Sequence, residues 1–181
     1  MSWQPRSLRI AGLTVGAFTV LLLGACSRAK DAGSPRPDQT ASVTKEVRAF
    51  TATVAADITK RGVIAWQDHF SGTPAFFMVV DDKVIFTDRD DATKQIPEIA
   101  AMTSRIELQW GEPMRIDPIN GELAMVAAPY HELIVGADGK RIEENGYFTA
   151  LAEKNAKGWQ FRNAHWSVTP AVPEPAEKSR P

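Results

Sequence analysis

Cys26 is the only thiol in this chain. A lone cysteine excludes an intrachain disulfide framework and any multi-cysteine metal site. A basic excess is missing too: 21 Lys and Arg stand against 22 Asp and Glu, a net charge of −1. That excludes the dominant basic face of a nucleic-acid binder. There is no glycine-rich phosphate loop and no GxSxG elbow, and Ser71 and Ser167 have no triad around them. The three histidines, His69, His131 and His165, contain no i,i+4 pair, so neither a metal nor a cofactor is expected. What is left is an ordinary globular composition, 44% hydrophobic and 24% charged over 181 residues. That length suits one domain with a sizeable core.

Residues 1–9 hold Arg6 and Arg9, and residues 10–25 carry no charge. The apolar run is short for a transmembrane helix and right for a secretory leader. It ends Leu23-Gly24-Ala25-Cys26, which resembles the lipobox of bacterial lipoproteins. The resemblance implies a signal peptide over 1–25, an acylated Cys26 and a lipid bilayer as partner. Cys26 is then a lipid attachment point and not a nucleophile. Ser27 is not acidic, which in such lipoproteins implies the outer membrane, facing the periplasm. The alternative is an ordinary leader or an uncleaved anchor with a chance cysteine. Residues 26–41 are polar and hold Pro35 and Pro37, which predicts a flexible tether; residues 170–181 read as a disordered, proline-rich tail. The folded unit is expected over 42–169.

Within it, Val43, Val47, Phe50, Val54 and Ile58 recur at helical spacing, closed by Lys60, Arg61 and Gly62. A shorter helical stretch, 63–70, aligns Val63, Trp66 and Phe70. A hairpin follows, 75–80 and 84–87, then a helix over 88–102 opened by acidic residues and containing Pro97. Residues 105–116 alternate like a strand interrupted at Gly111-Glu112-Pro113, which predicts a bulge. Asn120-Gly121, Gly136–Gly139 and Asn155–Gly158 are turns between long strands. Helices followed by antiparallel strands make an α+β fold, with a curved antiparallel sheet wrapped around N-terminal helices. Such a cone has an apolar interior suited to a small molecule.

The helix ending Ile64-Ala65-Trp66, the strands PAFFMVV and VIFT, and the final strands GYFTALAEKNAKGWQFRNAHWSVTP resemble the SnoaL-like branch of the nuclear-transport-factor-2-like superfamily. The ending Trp159-Gln160 … His165-Trp166-Ser167 resembles the last strand of the calmodulin-dependent kinase association domain. The resemblance spans most of 43–169 and implies a cone-shaped, cystatin-like roll. The family includes ketosteroid isomerase, scytalone dehydratase and polyketide cyclases, so the fold alone does not imply a reaction.

Neighbours on a strand face opposite ways, so His131 and Glu132 cannot both enter the cone. Matching to the association-domain pattern implies that Val126, Ala128, Tyr130 and Glu132 point inward, with Phe148, Ala150, Arg162, Ala164 and Trp166. His131 and His165 then lie outside, on the face where this family often dimerises. The expected pocket is Trp66, Phe70, Phe77, Tyr130, Glu132, Phe148, Arg162 and Trp166. Two roles stay open for Glu132. In an apolar cone its pKa rises and it can shuttle a proton, with Tyr130 donating to an oxyanion. At the rim it pairs with Arg162 or Lys140. His69 is a third catalytic candidate, or a surface or capping histidine. The first functional expectation is a membrane-anchored lipoprotein whose cone holds a small apolar or aromatic ligand without catalysis. The rivals are an isomerase, dehydratase or cyclase, and a homodimeric scaffold using an outer face of Phe161, Asn163 and His165.

Overall fold

The computed structural model describes residues 36–170. The leader, Cys26 and all but the first residue of the proline-rich tail lie outside the described residues.

Helix α1 spans Pro37–Arg61. Val43, Val47, Val54 and Ile58 form its buried stripe, with Thr51 between them. It stops at Gly62, whose φ of 80° is left-handed and whose N–H donates to Ile58 O at 2.9 Å. The expected tether therefore ends earlier than residue 41, because 37–41 are helical. Proline is well suited to a first turn, where its missing N–H leaves nothing unpaired, and Asp38 complements the positive helix end.

The expected helix over 63–70 is a 3₁₀ turn, Val63–Ala65, followed by α2, Trp66–His69; Phe70 is already extended. Strands β1 (Phe77–Val80) and β2 (Lys83–Phe86) form the hairpin, and α3 is Arg89–Met102. The Asp88 side chain caps α3 by accepting from Asp91 N at 2.8 Å. Pro97 deprives the Thr93 carbonyl of its helical donor. Gln67 Nε2 donates to that carbonyl at 3.2 Å, so the helix continues with the loss repaired from α2.

Strands β3 (Thr103–Trp110), β4 (Arg115–Pro118), β5 (Leu123–Gly136), β6 (Arg141–Asn155) and β7 (Gly158–Val168) complete the sheet. Its order is β2-β1-β7-β6-β5-β3, with β4 also on β5. All pairs are antiparallel except β1 with β7. The expected bulge at 111–113 is instead a break: β3 and β4 are separate strands on the same partner. Gly111 N donates to Pro129 O at 2.7 Å across this gap. The gap also explains how a proline sits inside β5, since the N–H that Pro129 lacks would point there.

Sheet and helices enclose one core. Phe148 is its centre, with ring centroids 5.0 Å from Trp110, 5.0 Å from Phe161 and 4.6 Å from Trp166. Helix α1 is tied to β3 by Trp110 Nε1, which donates to Thr51 O at 2.8 Å, and by Leu108 N, which donates to Thr59 Oγ1 at 3.1 Å.

Candidate ligand pocket

Beyond the end of α1 the cover over the sheet becomes shorter and less continuous. A cavity of about 290 Å³ opens there. Trp66 and Phe70 form one wall, and Met78, Val80 and Phe86 of the hairpin form a second. Ile96 and Ile99 come from α3, Thr103 and Ile106 from β3. The floor is Tyr130, Glu132 and Ile134 of β5, Glu144 of β6 and Trp166 of β7. Their rings brace one another. Trp66 stacks on Phe70 at 5.1 Å and meets Trp166 edge-on at 5.7 Å; Tyr130 meets Trp166 edge-on at 4.6 Å.

Glu132 is partly accessible and faces this cavity. Burial, and secondarily the charge of Glu144, pushes its carboxyl up to about 7. Glu144 is directly opposite it in the β5–β6 register, and is itself raised by burial and by Asp81. Burial and then the charges of Glu144, Glu132 and Asp81 raise the Tyr130 phenol above its usual value. Among the described residues, neither the Glu132 carboxylate nor the Tyr130 hydroxyl makes a hydrogen bond. No Lys, Arg or His lines the cavity. Asp81 sits at a left-handed φ of 51°, with its N–H donating to Trp166 O at 2.7 Å and its Oδ1 accepting from Val168 N at 2.8 Å. These bonds pin the hairpin turn to the end of β7.

Trp66, Phe70, Tyr130, Glu132 and Trp166 are thus brought together, and four expected site residues are not. Phe77 is 44% exposed on the opposite face. The parallel pairing of β1 with β7 sets Met78 against Ala164 and Val80 against Trp166, so those two turn inward. Phe148 points inward but is sealed in the core at 0% exposure, away from the cavity. Arg162 stands in a bulge of β7, where Leu151 pairs with Asn163 and Ala152 with Phe161. The bulge directs Phe161 fully into the core, not onto the outer face, and Arg162 pairs with Glu153 at 3.4 Å. The rim pairing of Arg162 with Glu132 is therefore not made. His69 is buried but faces α1, where its Nε2 lies 3.1 Å from Asp57 Oδ2; burial lowers its pKa. Among the described residues no group of three or more His, Cys, Asp or Glu is placed to hold a metal ion.

Glu144 is the charged lining residue that sequence reasoning missed. The signal for it was the turn at Gly136–Gly139, since counting back equally along both strands sets it against Glu132.

No protein-family model and no curated protein matches the chain. Solved structures do. A nuclear transport factor 2-like superfamily protein from Salmonella enterica is 18% identical and has a TM-score of 0.61, covering 76% of this chain and 97% of its own. A candidate scytalone dehydratase from Novosphingobium aromaticivorans has 12% identity and a TM-score of 0.62, over 75% of this chain and 89% of its own. A hexachlorocyclohexane dehydrochlorinase has 9% identity and a TM-score of 0.57, over 78% of this chain and 95% of its own. At such identities the likeness is one of architecture: the described residues have the nuclear-transport-factor-2-like α+β cone fold.

Proposed function

We propose that the cone holds a small, mainly apolar or aromatic molecule. The observation that carries this is the cavity of about 290 Å³, walled by aromatic and aliphatic side chains and closed at its inner end by a packed core. A cone filled by its own side chains, as the pure scaffold reading requires, would have no such space. Native mass spectrometry of the full chain, taken gently from its own membrane, tests the proposal. The expected result is a reproducible small-molecule adduct that Val80→Trp, which fills the cavity, displaces. A bare wild-type protein would overturn it.

A second reading is favoured by Glu132 and Tyr130, which share this lumen. A carboxyl titrating near 7 is suited to take a proton from a carbon acid and return it elsewhere, while a phenol donates to the oxyanion that forms. The neighbours named as dehydratase and dehydrochlorinase support elimination as the reaction class. On this reading Glu132→Gln abolishes turnover of a bound molecule while the molecule still binds; unchanged turnover sinks it.

The membrane address is also a proposal, supported by the residues from Arg6 to Cys26. Cys26→Ser is expected to move the chain from the outer-membrane fraction to the soluble periplasm. The outer sheet face leaves Phe77, Met125 and Tyr147 40–44% exposed, which supports a homodimer. Light scattering showing a monomer at micromolar concentration would remove it.

A further inference from the structure

We infer that the occupant of the cavity carries a cation: an amine with an apolar body, its ammonium held between Glu132 and Glu144. The inference rests on the pocket proposed above and names its ligand class.

Glu132 and Glu144 are direct cross-strand partners, and both line the cavity. Such partners stand with Cβ atoms about 4.5–5.5 Å apart, and like charges there are destabilising. Above about pH 7, where Glu132 gives up its proton, no basic side chain in the cavity offsets this repulsion. Arg162 is committed to Glu153, and Arg141 pairs with Glu143 at 3.3 Å. Asp81, across the turn of the hairpin, adds a third negative charge that acts on Glu144. Facing Glu132 are therefore Glu144 and Tyr130, with Asp81 beyond them and no positive group.

Tyr130 is an independent pointer. It is 4% exposed, lines the same cavity, and its hydroxyl has no hydrogen-bond partner among the described residues. The side chain is almost wholly buried while its hydroxyl is reached from the cavity, so a ligand N–H can donate to it. Trp66, Tyr130 and Trp166 line the cavity, and aromatic rings attract an ammonium through their quadrupoles. The remaining walls, Val63, Ile96, Ile106 and Ile134 among them, are apolar apart from Thr103, whose hydroxyl donates to Ile99 O at 2.9 Å. Above about pH 7 an anionic head would meet two carboxylates, and a neutral one would leave their repulsion in place. A cation removes it.

The test is calorimetric titration of the full chain with phenylbutylamine, phenylbutanol and phenylbutyrate, which share a skeleton and differ in charge. It is run above pH 7, where Glu132 is ionised. The amine is expected to bind at least about tenfold more tightly than the alcohol, and the carboxylate to bind weakest. Glu132→Gln and Glu144→Gln keep side-chain size and relieve like-charge repulsion, so both variants are expected to fold. Each narrows the amine-to-alcohol ratio, and the double variant brings it to near one. An alcohol that matches the amine overturns the cation inference and leaves the apolar pocket standing. An amine preference that survives in the double variant places the cation elsewhere and overturns it as well. Binding of none of the three overturns both this inference and the pocket beneath it.

Discussion

Ala124, Val126 and Ala128, on the inward face of β5, are at most 1% exposed, whereas Tyr130, Glu132 and Ile134 continue the same face into an open cavity. The strand is continuous and the alternation does not change. What changes is the cover and the size of the side chains. In the closed half α1 lies across β3 and β4, and the buried face of the sheet carries Ala124, Ala128, Ala150, Ala152 and Ala164 beside Phe148 and Phe161. Small residues leave room that the two phenylalanines fill. In the open half α1 has ended, and large rings lean on one another. A cavity persists where aromatic side chains support each other instead of collapsing onto a helix.

That contrast can be broken most severely from the closed side. Phe148→Ala removes a ring that is 0% exposed and is expected to destabilise the fold by about 4 kcal/mol in urea unfolding. Gly146 lies at the junction of the halves, paired with Tyr130. A Cβ there would clash with Ser167 O and meet the Tyr130 hydroxyl at 2.9 Å. Gly146→Ala is expected to lower stability by about 2 kcal/mol in the same assay and to change the near-ultraviolet dichroism of the Tyr130–Trp166 pair.

The open side gives a smaller, pH-dependent effect. The folded pKa of Glu132, about 7, lies above its ordinary 4.5, so the folded chain keeps a proton that the unfolded chain releases. Its contribution is complete below 4.5 and is lost as pH rises from 4.5 through about 7. Allowing for solvent at the cavity mouth, the loss is on the order of 1–2 kcal/mol. Glu132→Gln is expected to remove this decline, so the difference between variant and wild type grows with pH; parallel curves would refute it. Phe77→Ala, on the exposed face, is expected to change stability by less than about 0.5 kcal/mol. A large loss there would mean that this face is buried in solution by a partner.

The sequence shows the order of elements clearly because the strands from β4 onward are separated by glycine or asparagine turns and α1 carries a full apolar stripe. Tyr130 and Glu132 were legible through the resemblance to the association domain, which implied the inward face of β5, and β5 pairs with β6 without a bulge, so that facing is kept. The hairpin was not. The run from Ala75 to Val80 has no polar residue, so alternation cannot choose a face, and the choice falls to its parallel pairing with β7. In β7 the bulge at Arg162 interrupts the two-residue period, exchanging the expected places of Arg162 and Phe161. His69 depended on how α2 ends, and a four-residue helix carries too little pattern to say which way its last ring turns. Ile96 and Ile99 lay hidden in a helix that was read as cover and not as wall.

The β1–β2 hairpin has a consequence of its own. Each of its strands is four residues long, and it joins the sheet through β7, yet Met78, Val80 and Phe86 are a wall of the cavity. Few cross-strand bonds hold it, so its local opening requires far less free energy than separating β5 from β6. Amide protons over 77–86 are therefore expected to exchange with solvent well before those of Tyr130 or Phe148. A molecule seated in the cone touches this wall and closes that route, which slows the exchange by mass action. Occupancy of the pocket can thus be read from the most labile strands of the fold, with an isotope label alone and while the occupant is still unidentified.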